Sequence, residues 1–203
     1  MPTTISGTDG VSAVVDGTIV AADIASDAVT TAKILNANVT PAKLSQPLTF
    51  ATAQAITSGT NIDFTGIPSW VKRITIIFSG VSTNANSLFV VQLGTPGGLQ
   101  TTNYVSFAGY YTGAGGAVSS VTNGFGWHNN TNDVGHGHMI ITNISSNLWV
   151  SSHSGGFTNG STNFMQAGGG SVTMSGTVDR VRITTVSGTA IFDAGSINIS
   201  YEG

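Results

Sequence analysis

Large aliphatic side chains recur every five residues between residues 16 and 45, a period that belongs to neither regular secondary structure. Three decapeptides in register carry it: Asp16-Gly-Thr-Ile-Val-Ala-Ala-Asp-Ile-Ala25, Ser26-Asp-Ala-Val-Thr-Thr-Ala-Lys-Ile-Leu35 and Asn36-Ala-Asn-Val-Thr-Pro-Ala-Lys-Leu-Ser45. The fourth position is Ile19, Val29 or Val39, the seventh is always Ala, and the ninth is Ile24, Ile34 or Leu44. A strand repeats every 2 residues and a helix about every 3.6. A spacing of five suits a chain that alternates a short extended piece with one helical turn. In Thr40-Pro41-Ala42-Lys43 a capping hydroxyl precedes a proline at the first helical position, where the missing N–H costs nothing. Val20–Ile24 and Thr30–Ile34 echo that pattern.

A unit this small cannot bury its own apolar residues, because two aliphatics per ten residues fall short of offsetting chain entropy. Repeats of this kind become stable when copies pack side by side. With only three units in the chain, association between chains is the expected solution. Three chains about one axis would stack Ile19, Ile24, Val29, Ile34, Val39 and Leu44 into apolar layers. The competing reading is a disordered Ala/Thr/Ser linker, against which the strict register of the aliphatics argues. Residues 16–47 are therefore expected to form a short homotrimeric stalk.

Charged residues make up only 7% of the chain, against about 25% in an average protein. Apolar residues still reach 40% and cluster in strand-like groups, so the composition is not that of disorder. The net charge of −3 and six scattered basic residues provide no basic stripe for nucleic acid. The absence of cysteine removes disulfides and thiolate metal sites. No basic segment followed by an apolar run opens the chain, and the densest apolar run, Ile74 to Phe78, is too short for a bilayer. These features predict a protein made in the cytoplasm, with no membrane insertion.

Gln46-Pro47 closes the repeats, and residues 48–203 read as strand, turn, strand. Candidate strands are Leu48–Ile56, Asn61–Thr65, Val71–Ser79, Ser87–Leu93, Asn103–Tyr111, Val118–Phe125, His138–Thr142, Leu148–Ser154, Ser171–Met174, Asp179–Val186 and Ser196–Tyr201. Turn residues at Thr83–Asn86 suggest that the two strands flanking them form an antiparallel hairpin. Alternation points Val181 and Ile183 inward with Arg180 and Arg182 outward, and places Ile197, Ile199 and Tyr201 on one face. Many short strands, Gly-rich turns and no convincing helix predict an all-β fold, an antiparallel β-sandwich or jelly roll.

The repeats, with their Thr-x-Ala-Lys-Ile/Leu endings, resemble those near the N-termini of bacteriophage tail-fibre and related virion proteins. The second half is similar to a β-domain of such proteins. The matching residues are Phe64-Thr-Gly-Ile-Pro-Ser-Trp-Val-Lys-Arg-Ile-Thr-Ile-Ile-Phe-Ser-Gly-Val-Ser-Thr83, Val91-Gln-Leu-Gly94, Val178-Asp-Arg-Val-Arg-Ile183 and Phe192-Asp-Ala-Gly-Ser-Ile-Asn-Ile199. The resemblance implies a homotrimeric fibre on a virion, its N-terminus docked to the particle and its head pointing outward to a host-surface glycan or protein. A non-adhesive fibre decorating a capsid, collar or tail is the alternative it leaves open.

His136-Gly137-His138 is the sharpest chemical motif. On a strand both imidazoles fall on one face, and three chains would offer six nitrogens to a transition metal. Solvent-exposed or interface histidines are the simpler reading; no other cofactor is expected. Tyr104, Tyr110, Tyr111, Trp127, His128, Trp149 and His153 stand among Asn, Ser and Gly. Aromatic faces stack on sugars while amides and hydroxyls meet their hydroxyl groups. Trp149, between Leu148 and Val150, reads as core, and Trp70 as packed at a strand start. Trp127, His128, Tyr110 and Tyr111 remain as receptor-binding candidates. Catalysis is not expected: no Ser lies in a nucleophile elbow, Gly168-Gly-Gly170 lacks a phosphate loop's Lys, and Asp179 and Asp193 read as ion-pair or turn residues.

Residues 1–15 are too few and too small to fold alone, and Ile5, Val11, Val14 and Val15 are their candidate anchors to a virion protein. Deleting them is expected to leave a soluble trimer that no longer enters particles; normal incorporation of the truncated chain, measured on purified virions, would refute the assignment.

Overall fold

The computed structural model of the chain describes residues 24–34, 38–40 and 43–203, and the chain divides into two units between Leu44 and Ser45. In the first unit, Thr31–Lys33 forms a single 3-10 turn, closed by hydrogen bonds from Lys33 N to Thr30 O (2.9 Å) and Ile34 N to Thr31 O (3.2 Å). Ten residues on, Lys43 N donates to Thr40 O at 2.9 Å. One turn per repeat is thus what the period of five requires. At Thr30, which echoes the Thr40-Pro41 pattern, no side-chain cap hydrogen bond forms. Lysine tightens the turn instead: Lys33 Nζ donates to Ala28 O (2.6 Å) and Lys43 Nζ to Asn38 O (2.7 Å). Ile24, Val29, Ile34, Val39 and Leu44 are 40–58% exposed, so none of them is buried among the described residues. Ile19 and the anchors Ile5, Val11, Val14 and Val15 lie outside the described residues.

The second unit is all-β. Its strands are β1 (Thr49–Phe50), β2 (Gln54–Ala55), β3 (Ile62–Thr65), β4 (Arg73–Thr83), β5 (Phe89–Thr95), β6 (Gly98–Leu99), β7 (Val105–Thr112), β8 (Gly115–Val121), β9 (Phe125–Trp127), β10 (Val134–Ser145), β11 (Leu148–Asn159), β12 (Thr162–Thr173), β13 (Arg180–Thr185) and β14 (Phe192–Glu202). A nine-stranded antiparallel sheet runs β1-β14-β4-β10-β11-β12-β7-β8, with β2 also on β14. A five-stranded sheet runs β3-β13-β5-β6, with β9 also on β5. The inner faces of the two sheets enclose one apolar core that includes Ile74, Ile76, Phe78, Phe89, Phe125 and Ile199.

Several strands differ from the sequence expectation. The proposed hairpin across Thr83–Asn86 does not exist, because β4 lies in the larger sheet and β5 in the smaller. The segment between them crosses the sandwich. Val81, Ser82 and Thr83 are buried in succession, as a chain passing between layers must be, and β5 is buried throughout. Gly168–Gly170, glycines that composition would place in a turn, lie within β12. A Cβ on Gly168 would collide with the His153 ring and Phe107 O, and one on Gly170 with Val105 O, so close strand approach demands glycine there. Other expectations hold: Val181, Ile183, Ile197 and Ile199 are core, Trp149 is buried, and Trp70 packs on Tyr201 with ring centroids 6.0 Å apart.

Trp127 of the smaller sheet packs directly on the larger one. Its indole stacks on Phe78 of the opposite sheet at a centroid distance of 4.4 Å and lies 5.0 Å from the His153 ring. Gly137 and Gly155, paired across β10 and β11, leave room for the ring. A Cβ on Gly155 would sit 2.7 Å from the indole and 2.5 Å from His136 O. Gly155→Ala is expected to cost about 2 kcal/mol by overpacking, whereas Gly113→Ala, where a Cβ meets nothing within 4 Å, should stay near neutral. Urea denaturation midpoints of the two variants check this; equal midpoints would contradict the tight seat.

Candidate interaction surfaces

The four aromatic candidates do not form one surface. Trp127 is 0% exposed and belongs to the core, so it is no platform for a ligand. Its glycine and asparagine neighbours are packed as well: Gly126 abuts Val121 and Ala108, and buried Asn129 donates to Thr83 Oγ1 and Ser87 O. His128 is also buried: its N–H donates to Gln166 Oε1 (3.0 Å), and its Nε2 lies 3.2 Å from Asn130 Nδ2 and 3.9 Å from Asp133 Oδ2. Burial lowers the His128 pKa, and the Asp133 carboxylate opposes that shift. Tyr110 shares the inner face with it, ring centroids 4.3 Å apart, beside Phe157 and Phe164. Tyr111, the next residue, points out through the opposite face and is 73% exposed. It borders a shallow pocket of about 260 Å³ with Gly109, Gly116, Ala117, Val118 and Ala167.

Asp133 organises the polar segment after β9. Its carboxylate accepts hydrogen bonds from Asn130 N (2.8 Å) and Asn159 Nδ2 (2.9 Å). It is also the only Asp, Glu, Lys or Arg between Ile74 and Val178, and it is buried. The outer face of β4, β7, β8, β10, β11 and β12 is consequently without acidic or basic groups other than histidine and the bordering Arg73. His136 and His138 both stand exposed on it. The ring Nδ1 of His136 accepts a hydrogen bond from Gly80 N (3.2 Å), which leaves only Nε2 to meet another group. Among the described residues no group of three or more His, Asp or Glu side chains converges, so a metal at this pair would need ligands from elsewhere.

Charge is gathered on the other sheet. Arg182 makes a two-pronged pair with Asp63 (2.7 and 2.6 Å), and Arg180 one with Asp179 (2.8 and 3.0 Å), which lowers the Asp179 pKa. Next to Arg182 lies a groove of about 470 Å³, lined by Asn61, Gln92, Asn123 and Thr184 among others. Gln92 Nε2 donates to Asn123 O (2.7 Å) and Thr184 Oγ1 to Thr60 O (2.7 Å), so these polar side chains are held in place. Sequence reasoning missed this groove because its residues come from five separate segments and form no motif. The remaining carboxylates of this unit are engaged too: Asp193 accepts from Ser82 Oγ, and Glu202 lies 3.3 Å from Arg73.

No family model, curated protein or solved structure matches this chain.

The least expected feature is a polar seam inside the core. Trp127 Nε1, Ser151 Oγ, both ring nitrogens of His153 and Gln166 Nε2 are buried without a protein partner. Burial pushes the His153 pKa down from 6.5 to about 4. The unfolded chain therefore takes up this proton first as pH falls. The stability carried by neutral His153 is fully present above pH 6.5 and is lost as pH falls through about 4. The loss is at most about 3 kcal/mol. His153→Gln is expected to flatten the decline of denaturation midpoint across that window; an unchanged slope would show that His153 does not govern it.

Proposed function

We propose that this chain is a subunit of a trimeric virion fibre. In this reading residues 1–15 dock to a particle protein, residues 16–47 form the stalk, and the β-sandwich is a head that attaches to the host-cell surface. The observation that carries it lies in the decapeptides. Two successive repeats use the same turn and the same lysine-to-carbonyl hydrogen bond, yet every described aliphatic in them is exposed. A regular structure with an uncovered apolar stripe calls for identical copies to cover it. The resemblance of these repeats to those of phage fibres supplies the setting.

Burial of Trp127 and His128 moves the receptor surface away from the predicted cluster. The groove beside Arg182 has the chemistry a hydroxyl-rich ligand such as a host glycan needs, with immobilised amides, hydroxyls and a guanidinium. Weak contacts there would gain avidity from several heads per particle. The test is the mass of the purified full chain together with cryo-electron microscopy of the intact particle. A three-chain mass and three-fold density projecting from the tail with free heads are expected. Density lying flat on a capsid or collar would replace attachment by decoration, and a monomer would overturn the fibre.

A further inference from the structure

We infer that the outer face of the nine-stranded sheet is where the heads of neighbouring copies meet. This rests on the fibre reading only in requiring more than one copy of the chain.

The face is uncharged in a way the rest of the molecule is not. One register row crosses six strands as Ile77, His138, Ser154, Ala167, Gly109 and Val118. Between identical subunits, charge of one sign on a shared face meets its own sign unless it is matched by the opposite one, so a face with no charge avoids that repulsion. Here Arg73 and Glu202 pair at one end of β4 and β14 and Asp193 accepts from Ser82 near the other, so these charges stand only at the border, while Asp63, Asp179, Arg180 and Arg182 lie on or beside the other sheet. Depletion of charge with enrichment of Tyr, Phe and Met marks the centre of protein interfaces.

Its relief fits a copy as well. Ser154, Ala167 and Gly109 form a low floor, and Phe107, Tyr111, Val118 and Met165 rise beside it, 48–73% exposed. Raised side chains and the shallow pocket of Gly109, Gly116 and Ala167 share one face, so a side chain of one subunit can enter the pocket of the next. Six strands about 4.8 Å apart, with some ten residues each at about 3.3 Å, give a footprint on the order of 1,000 Å². A stable interface takes about 800 Å² per partner. At the rim, β8 pairs only with β7 and carries no charge or proline to block its open edge. Repeats that gather copies would bring these faces together at high effective concentration.

The chain lacks cysteine, so single thiols report directly on accessibility. Val118→Cys, Met165→Cys and, as a control on the other sheet, Thr65→Cys would be made in the full chain. Each would be weighed by light scattering and then reacted with a maleimide. In an oligomer, the thiols at 118 and 165 are expected to react about tenfold more slowly than the thiol at 65, because a packed interface excludes water and reagent. Equal rates in an oligomer would overturn the face contact and leave the fibre reading standing. A monomeric mass at high micromolar concentration would overturn both.

Discussion

The sandwich depends on how a single indole is accommodated. Trp127 comes from β9 of the smaller sheet and lies on Phe78 of the larger one, so it sets the distance between layers at that point. It fits only because Gly137 and Gly155 face each other across β10 and β11 and bring backbone where side chains would normally stand. A ring this large contributes much of the burial energy available at its end of the core. The same crowding carries a cost: the Trp127 N–H, His153 and Gln166 share that space without satisfying one another's hydrogen-bonding groups. Such groups lose free energy on burial, and His153 stays neutral for that reason.

This packing also determines what the two outer faces become. The larger sheet turns Phe78, Trp149 and Phe157 inward and keeps Ser, Gly and Ala outside together with the exposed Phe107, Tyr111, Val118 and Met165, with no charge across most of its width. The smaller sheet has a narrow inner face of aliphatic and aromatic side chains, Val181, Ile183, Leu93, Phe89 and Trp127 among them, and an outer face of paired ions, amides and hydroxyls. One molecule thus presents two chemically different surfaces on opposite sides of one core. An attachment head would need such a division, with one face to meet its copies and another left free for a ligand.

Much of the fold was readable because alternation is a local signal. Val181, Ile183, Ile197 and Ile199 declare their faces without reference to any partner. Pairing was not readable in the same way. The strands on either side of Thr83–Asn86 look like a hairpin, and only the consecutive burial of Val81, Ser82 and Thr83 shows a crossing between sheets. The strands β10, β11 and β12 run longer than the sequence suggests because their continuations pass through Gly135, Gly137, Gly155, Gly156 and Gly168–Gly170, and a glycine's place in a strand depends on a neighbour such as His153. For the surfaces, composition near Trp127 misled because Gly126 and the asparagines after His128 resemble a loop, although Gly126 packs on Val121 and Ala108 and Asn129 is buried. The run from Ile74 to Val178, charged only at the buried Asp133, was present in the sequence, and it leaves β5 to β12 without a single Asp, Glu, Lys or Arg.

The repeats and the head reach a similar condition by different routes. In the repeats, a period of five leaves aliphatics no internal partner. In the β-sandwich, the smaller sheet packs on the inner face of the larger one, and the larger sheet's outer face carries exposed apolar residues without charges over most of its width. Either surface alone would be compatible with some unrelated partner. A partner that matched both would have to supply a periodic aliphatic stripe and a broad uncharged sheet face. Another copy of this chain supplies both by construction, and each contact raises the effective concentration for the other. Self-association is therefore the single assumption that accounts for both exposures.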